Sequence, residues 1–217
     1  GTVYFGGQNS GLFILKNDSV YKYPGESIAS VSILSIEKGK DGTLWLGTEG
    51  KGVFEISDGQ ITNYNFENGL LSNYVNDLHI LDDGTVTAAT PKGLHRLKNG
   101  KAAVIEALRD VYTNVFVVDE WGTYWIGGEA GLYRYDPKTN NLEKLTSNKN
   151  IDFVRISSIT KDANGSIWMT SSRFGLVNIK ESLVQNISSP QLSSDRANII
   201  HEDSNGRILI GTDQNHL

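Results

Sequence analysis

Few side chains in this chain could do chemistry, and their spacing decides how to read them. There is no cysteine, which excludes disulfides, thiolate metal sites and a cysteine nucleophile. The four histidines, His79, His95, His201 and His216, lack the His-x-x-x-His or Glu-x-x-His spacing that sets two metal ligands on one face. Acids gather at Lys40-Asp41-Gly42 and Asp82-Asp83-Gly84. A calcium loop, however, needs alternating oxygen ligands over about 12 residues ending in Glu, and no such stretch occurs. Short acids ahead of a glycine are what tight turns use. Neither a Gly-x-Ser-x-Gly elbow nor a phosphate-binding Walker loop is present. Carboxylates for glycoside hydrolysis could converge from distant segments, but the acids mostly recur at equivalent turn positions, which accounts for them without catalysis. No metal and no cofactor is expected.

Binding chemistry remains. Recognition of a sugar calls for an aromatic ring to stack on, and for amides or arginine to meet hydroxyls and carboxylates. Asn73, Tyr74, Arg155, Arg173 and Phe174 offer those groups and are the candidate ligand-binding residues. The same residue types also occur as ordinary surface loop residues. Their claim rests on the elements that would have to carry them.

Those elements are written in a repeat. Gly42-Thr43-Leu44-Trp45-Leu46-Gly47-Thr48 returns in varied form at Gly1, Gly84, Gly122, Gly165 and Gly206, in steps of 41, 42, 38, 43 and 41 residues. A period near 40 that alternates like strand marks four-stranded units packed side by side. In the unit spanning 72–106, Val75–Leu81 predicts strand A, Thr85–Ala89 strand B, Leu94–Leu97 strand C and Ala102–Ile105 strand D. Asp82-Asp83-Gly84 and Lys98-Asn99-Gly100 are the turns between them. Strand B is almost continuously apolar (Leu44-Trp45-Leu46, Tyr124-Trp125-Ile126, Ile167-Trp168-Met169), as a strand covered on both faces should be. Trp45, Trp125 and Trp168 share one slot, which predicts rings packed between neighbouring units. Trp121 sits in a turn and is expected to be partly exposed.

The predicted fold is therefore all-β: a β-propeller of four-stranded antiparallel blades. Whole blades are expected at about 28–66, 72–106, 113–146 and 153–189, with partial blades at 1–23 and 196–217. Strand B is present in both partial units, so they do not complement one another. The expectation is one open arc of a seven-bladed propeller, cut from a longer protein. The B–C and D–A connections then share one end of each blade, and the five candidate residues fall in those connections. A net charge of −5 with scattered basic residues argues against a nucleic-acid partner. No apolar run reaches membrane-spanning length, so no direct insertion into a membrane is expected.

The consensus apolar-x-x-apolar-x-x-Asp-x-x-Gly-x-apolar-Trp-apolar-Gly-Thr-x-x-Gly-Leu is best kept at Val117–Leu132 and Ile159–Leu176, with Asp119, Asp162 and Asp203 three residues before the turn glycine. It resembles the two-component regulator propeller repeat, found in the extracellular sensor region of hybrid histidine kinases of polysaccharide-degrading bacteria. It differs from WD40 and kelch repeats, which end their strands with other signatures. In that family two propellers precede a small immunoglobulin-like domain, then a membrane span, a kinase, a receiver and a DNA-binding domain. The resemblance implies a non-enzymatic, periplasmic ligand-sensing segment of an inner-membrane protein. It further implies an oligosaccharide ligand, neighbouring propeller and immunoglobulin-like domains as partners, and a homodimeric parent. A propeller enzyme (lyase or glycosidase) and a protein-interaction scaffold are the alternatives.

Overall fold

In a computed structural model the structure describes residues 1–146, 155–172, 175–180, 183–187, 197–203 and 206–212. The described residues form six antiparallel sheets, each built from consecutive strands. The first holds β1 (Thr2–Gly7), β2 (Gly11–Lys16) and β3 (Ser19–Lys22). The second holds β4 (Ile33–Lys38), β5 (Leu44–Thr48), β6 (Val53–Ser57) and β7 (Gln60–Tyr64). The third holds β8 (Asp77–Ile80), β9 (Val86–Thr90), β10 (Gly93–Lys98) and β11 (Lys101–Val104). The fourth holds β12 (Val115–Val118), β13 (Tyr124–Gly128), β14 (Gly131–Asp136) and β15 (Asn141–Leu145). The fifth holds β16 (Ile156–Lys161), β17 (Ile167–Ser171), β18 (Gly175–Lys180) and β19 (Leu183–Ile187), and the sixth β20 (Ala197–Glu202) and β21 (Ile208–Thr212). The all-β, four-stranded expectation is borne out. The chain divides into two compact units, Gly1–Val111 with the first three sheets and Tyr112–Leu217 with the last three.

Turn chemistry sets the hairpins. At the C–D turns Asn17 and Asp18, Asp58 and Gly59, and Asn99 and Gly100 all adopt positive φ, the combination a two-residue hairpin loop requires. At the A–B turns Gly122 and Gly165 have φ of 84° and 81°, and each donates its N–H to the carbonyl three residues earlier, at 3.0 and 2.9 Å. The aspartate at that earlier position does more. Asp119 accepts the Trp121 and Thr123 backbone N–H groups through Oδ1 (3.0 and 2.9 Å) and the Trp125 indole N–H through Oδ2 (2.9 Å). Asp162 repeats this with Asn164, Ser166 and the Trp168 indole, at 2.9, 2.9 and 2.8 Å. Burial alone would raise the Asp162 pKa, but the indole and backbone donors outweigh it and hold the carboxyl below its usual value.

Strands β5 and β9 are buried along their whole length. In the first unit, Leu12 and Ile28 meet Leu44, Leu46, Phe54 and Ile56 between the first two sheets. Trp45, Val53 and Tyr64 meet Leu78, Val86, Ala88 and Leu97 between the second and third. In the second unit Leu132 packs with Ile156, Ile159, Ile167, Met169, Val177 and Ile179. Trp45 fulfils the packing expectation at 7% exposure, with Tyr64 tilted against it at 5.6 Å. Trp125 is only half-buried: it lies against the core with the Arg134 guanidinium 5.9 Å over its ring, and its N–H faces Asp119. Trp121 is 65% exposed.

The connections between sheets contain short 3-10 turns at Glu26–Ile28, Phe66–Asn68 and Glu106–Leu108. They tuck Ile28 and Leu108 inside, and Leu108 explains the glycine opening strand C. A Cβ at Gly93, whose φ is 102°, would run into the Leu108 carbonyl. His95 on β10 is fully buried, and its Nε2 accepts the Leu71 N–H at 3.1 Å. Burial drives its pKa down to about 4; the Gly93 carbonyl offsets part of this and Arg109 adds to it.

Two outcomes test this reading. Asp119→Ala strands an indole and two backbone donors and is expected to cost about 1–3 kcal/mol in denaturant unfolding. A variant as stable as the parent would contradict the clamp. The folded His95 titrates below its unfolded value of 6.5, so the unfolded chain takes up the proton first. Stability is therefore complete above that pH and falls as pH drops toward about 4, by roughly 3 kcal/mol across the window. His95→Gln should flatten that part of the melting-temperature profile, and equal slopes in both proteins would count against it.

Candidate functional site

Antiparallel order brings the B–C and D–A connections to the same end of each sheet. In the first unit, the β5–β6 loop and the β7–β8 connection are laced together. Gly50 and Gly52 donate their N–H groups to the Asn73 carbonyl at 3.1 and 2.8 Å, and Val75 donates to the Thr48 carbonyl at 2.9 Å. The Asn73 side chain accepts the Phe66 N–H at 3.0 Å, so this residue fixes the connection. Tyr74 pairs with Glu49 in an isolated bridge, is 39% exposed, and its hydroxyl donates to Glu49 Oε1 at 3.3 Å. The result is an outward aromatic ring beside a carboxylate, able to stack on a ligand and to accept its hydroxyl protons.

The second unit builds a different group at the corresponding end. Asn114 donates from Nδ2 to Glu129 Oε1 at 3.2 Å and to the Ile156 carbonyl at 3.1 Å. Arg155 donates its N–H to the Glu129 carbonyl at 3.2 Å, and its guanidinium Nε lies 3.7 Å from Glu129 Oε1. With φ of 26°, Arg155 occupies a backbone region that L-residues seldom adopt. An exposed Arg–Glu pair contributes little stability, so this guanidinium can exchange partners at little cost.

The structure thus joins Asn73 to Tyr74 and places Arg155 apart, in the other unit. Arg173 and Phe174 lie outside the described residues, as does His216. Sequence reasoning passed over Glu49 and Glu129 as site residues. Their signal was positional: each directly follows the end of strand B, after Thr48 and after Gly128.

One titratable cluster lies on the A strands of the first unit. His79 Nδ1 is 3.6 Å from Glu37 Oε1, and His79 Nε2 is 3.6 Å from Asp77 Oδ2. Burial raises the Glu37 pKa, His79 opposes this, and Asp77 reinforces it. Ser35 Oγ donates to Asp77 at 3.3 Å. Among the described residues no group of three or more His, Cys, Asp or Glu side chains is arranged to hold a metal ion.

Four-stranded, hairpin-connected sheets repeated along a chain define a β-propeller architecture. Residues 27–50 match the family model described as the two component regulator propeller. The extracellular domain of BT4673 from B. thetaiotaomicron superposes with a TM-score of 0.82 at 23% identity, over 98% of this chain and 30% of that one. The extracellular domain of the hybrid two component system BT3049 from the same organism gives 0.75 at 21% identity, over 97% and 30%. Virginiamycin B lyase from Staphylococcus aureus gives 0.65 at 14% identity, over 99% and 81%. At such identities these likenesses establish the shared fold, and the chain spans under a third of each Bacteroides ectodomain. No curated protein matches the chain. The resemblance drawn from the repeats is borne out by the family match and by the extracellular sensor domains among the structural neighbours.

The loop geometry separates scaffold from surface. Asn73→Ala should cost about 1 kcal/mol, because the Phe66 N–H loses its acceptor, while Tyr74→Phe should stay within about 0.5 kcal/mol. Chemical denaturation of both variants checks this, and the reverse ranking would refute the assignment.

Proposed function

We propose that this chain is a non-enzymatic ligand-sensing segment of the extracytoplasmic, periplasmic part of a hybrid two-component sensor kinase. The carrying observation is the match of residues 27–50 to the regulator propeller repeat, on a chain whose whole length follows the fold of such ectodomains. Its sheets are, on this reading, blades of a larger propeller. The first sheet supports that: Val3, Phe5 and Val20 are exposed at 55%, 39% and 59%, although the equivalent Leu44 and Leu46 of the second sheet are buried against a neighbour. A further blade would cover that face.

The ligand in this proposal is an oligosaccharide, met in the first unit by Tyr74 and Glu49 on the connection that Asn73 braces; Arg155, Arg173 and Phe174 are proposed as a separate set of contacts. Binding would bias a homodimeric parent, with its neighbouring propeller and immunoglobulin-like domains, between two arrangements. That requires unequal contacts in the two states. The Glu37–His79–Asp77 cluster favours a second reading, a propeller lyase, because it sets a histidine between two carboxylates from separate sheets.

A glycan array followed by calorimetry on the intact ectodomain tests the proposal. Saturable binding to at least one oligosaccharide, weakened about tenfold by Tyr74→Ala, is expected. Absence of any glycan binding would point to a protein scaffold instead. Turnover of a bound glycan, abolished by His79→Ala, would establish the enzyme.

A further inference from the structure

In the second unit the A–B turn ends of adjacent sheets are bridged. Glu120 Oε2 lies 3.5 Å from Lys161 Nζ of the next sheet, and its carboxylate rests against Gly165. Glu202 accepts the Ala163 N–H at 3.1 Å in the same manner. Below these bridges Asp119 and Asp162 satisfy the two indole N–H groups. Counted from the turn glycine, the equivalent positions of the first unit read differently. Gly39 replaces the clamp aspartate, Lys40 replaces Glu120, and Ile80 replaces Lys161 and Glu202. A cleft of about 430 Å³ opens between the second and third sheets, and all three substitutions line it.

Trp45 also lines this cleft, at 7% exposure, and its indole N–H makes no hydrogen bond among the described residues. Asp41 cannot stand in for the missing aspartate. Its oxygens are committed to the Thr43 N–H and hydroxyl at 3.0 and 2.9 Å, and its carboxyl fills the space a side chain on Gly39 would need. Glu55 is held in place by the Tyr64 hydroxyl at 2.8 Å, whose own pKa burial pushes up to about 12. The indole N–H opens onto the cleft, so its acceptor comes from whatever fills it. Opposite these polar groups Ile80 and Val86 supply an apolar wall.

We infer that this cleft binds a small, neutral, polyhydroxylated ring. A hydroxyl group both donates and accepts, which suits the indole N–H and Lys40 interleaved with Asp41, Glu55 and Asp82. The apolar wall takes the C–H face of the ring. An anion would meet the carboxylates, and a cation the lysine and the indole edge. The site lies at the opposite end of the sheets from Tyr74 and stands independently of the sensor reading, since it rests on the second and third sheets alone.

Titration of the chain carrying isotope-labelled tryptophan, followed by its indole N–H resonances, tests this. The probes are glucose, galactose and xylose, with glucuronate and glucosamine as charged counterparts. The Trp45 resonance is expected to move saturably with at least one neutral sugar, while Trp125 and Trp168 stay in place and the charged probes bind about tenfold more weakly. Gly39→Asp combined with Asp41→Asn reproduces Asp162 and Asn164, supplies the indole with an internal acceptor, and should abolish the movement at an undiminished melting temperature. Ile80→Glu, which rebuilds a bridge toward Lys40, should weaken binding about tenfold and serves if the double variant does not fold. No saturable movement with any neutral sugar, a preference for a charged probe, or unchanged binding in a folded variant would each overturn the inference.

Discussion

A single carboxylate three residues ahead of the turn glycine ties together a hairpin, a strand and the packing of one sheet on the next. Asp119 and Asp162 each gather two backbone donors of the turn with one oxygen and an indole with the other. The turn cannot open without releasing the ring, and the ring cannot rotate without freeing a donor. Where the tryptophan is absent the clamp adapts. Asp203 accepts the Arg207 N–H at 2.9 Å and its guanidinium at 2.6 Å, and Leu209 in the tryptophan slot is half exposed. Where the aspartate is absent, at Gly39, the ring keeps its place by packing alone.

That division of labour shapes where function can reside. The strands are committed to covering one another, as full burial of β5 and β9 demonstrates. Variation is left to the two ends of each sheet. At one end, loops are laced by backbone hydrogen bonds and present Tyr74, Glu49, Arg155 and Glu129 outward. At the other, turn residues either reach across to the next sheet, as Glu120 does, or stand apart. The two ends are separated by buried strands, so a change at one need not disturb the other.

Much of this was legible in the sequence because the period is strict and the turns are chemically specific. Glycines at positive φ, Asn, Asp and Gly at the C–D turns and apolar B strands translate directly into hairpins and buried strands. Strand ends shifted by a residue or two: strand A of the third sheet starts at Asp77, because Val75 bonds to Thr48 of the second sheet instead. Two of the 3-10 turns, Glu26–Ile28 and Glu106–Leu108, carry no side-chain cap to announce them, whereas Asn65 caps Phe66–Asn68 with its side chain. Trp125 shares a slot with Trp45 but not its burial, which depends on what Arg134 and the next sheet place around it. Of the candidate residues, Asn73 proved to be a brace and Tyr74 an exposed ring, a distinction set by hydrogen-bond direction that composition does not encode. The cleft beside Trp45 was hidden for a different reason: it is made by residues that are missing from their repeat positions.

Among the described residues every sheet is built from strands that follow one another in the chain. The polypeptide can therefore complete one set of backbone pairings before the next has been synthesised. Growth is vectorial: each finished leaflet offers the template on which the following one condenses, and little loop-closure entropy is lost at any step. A ribosome pausing between repeats would leave a sound partial structure with one sticky face, not a tangle of unmatched edges.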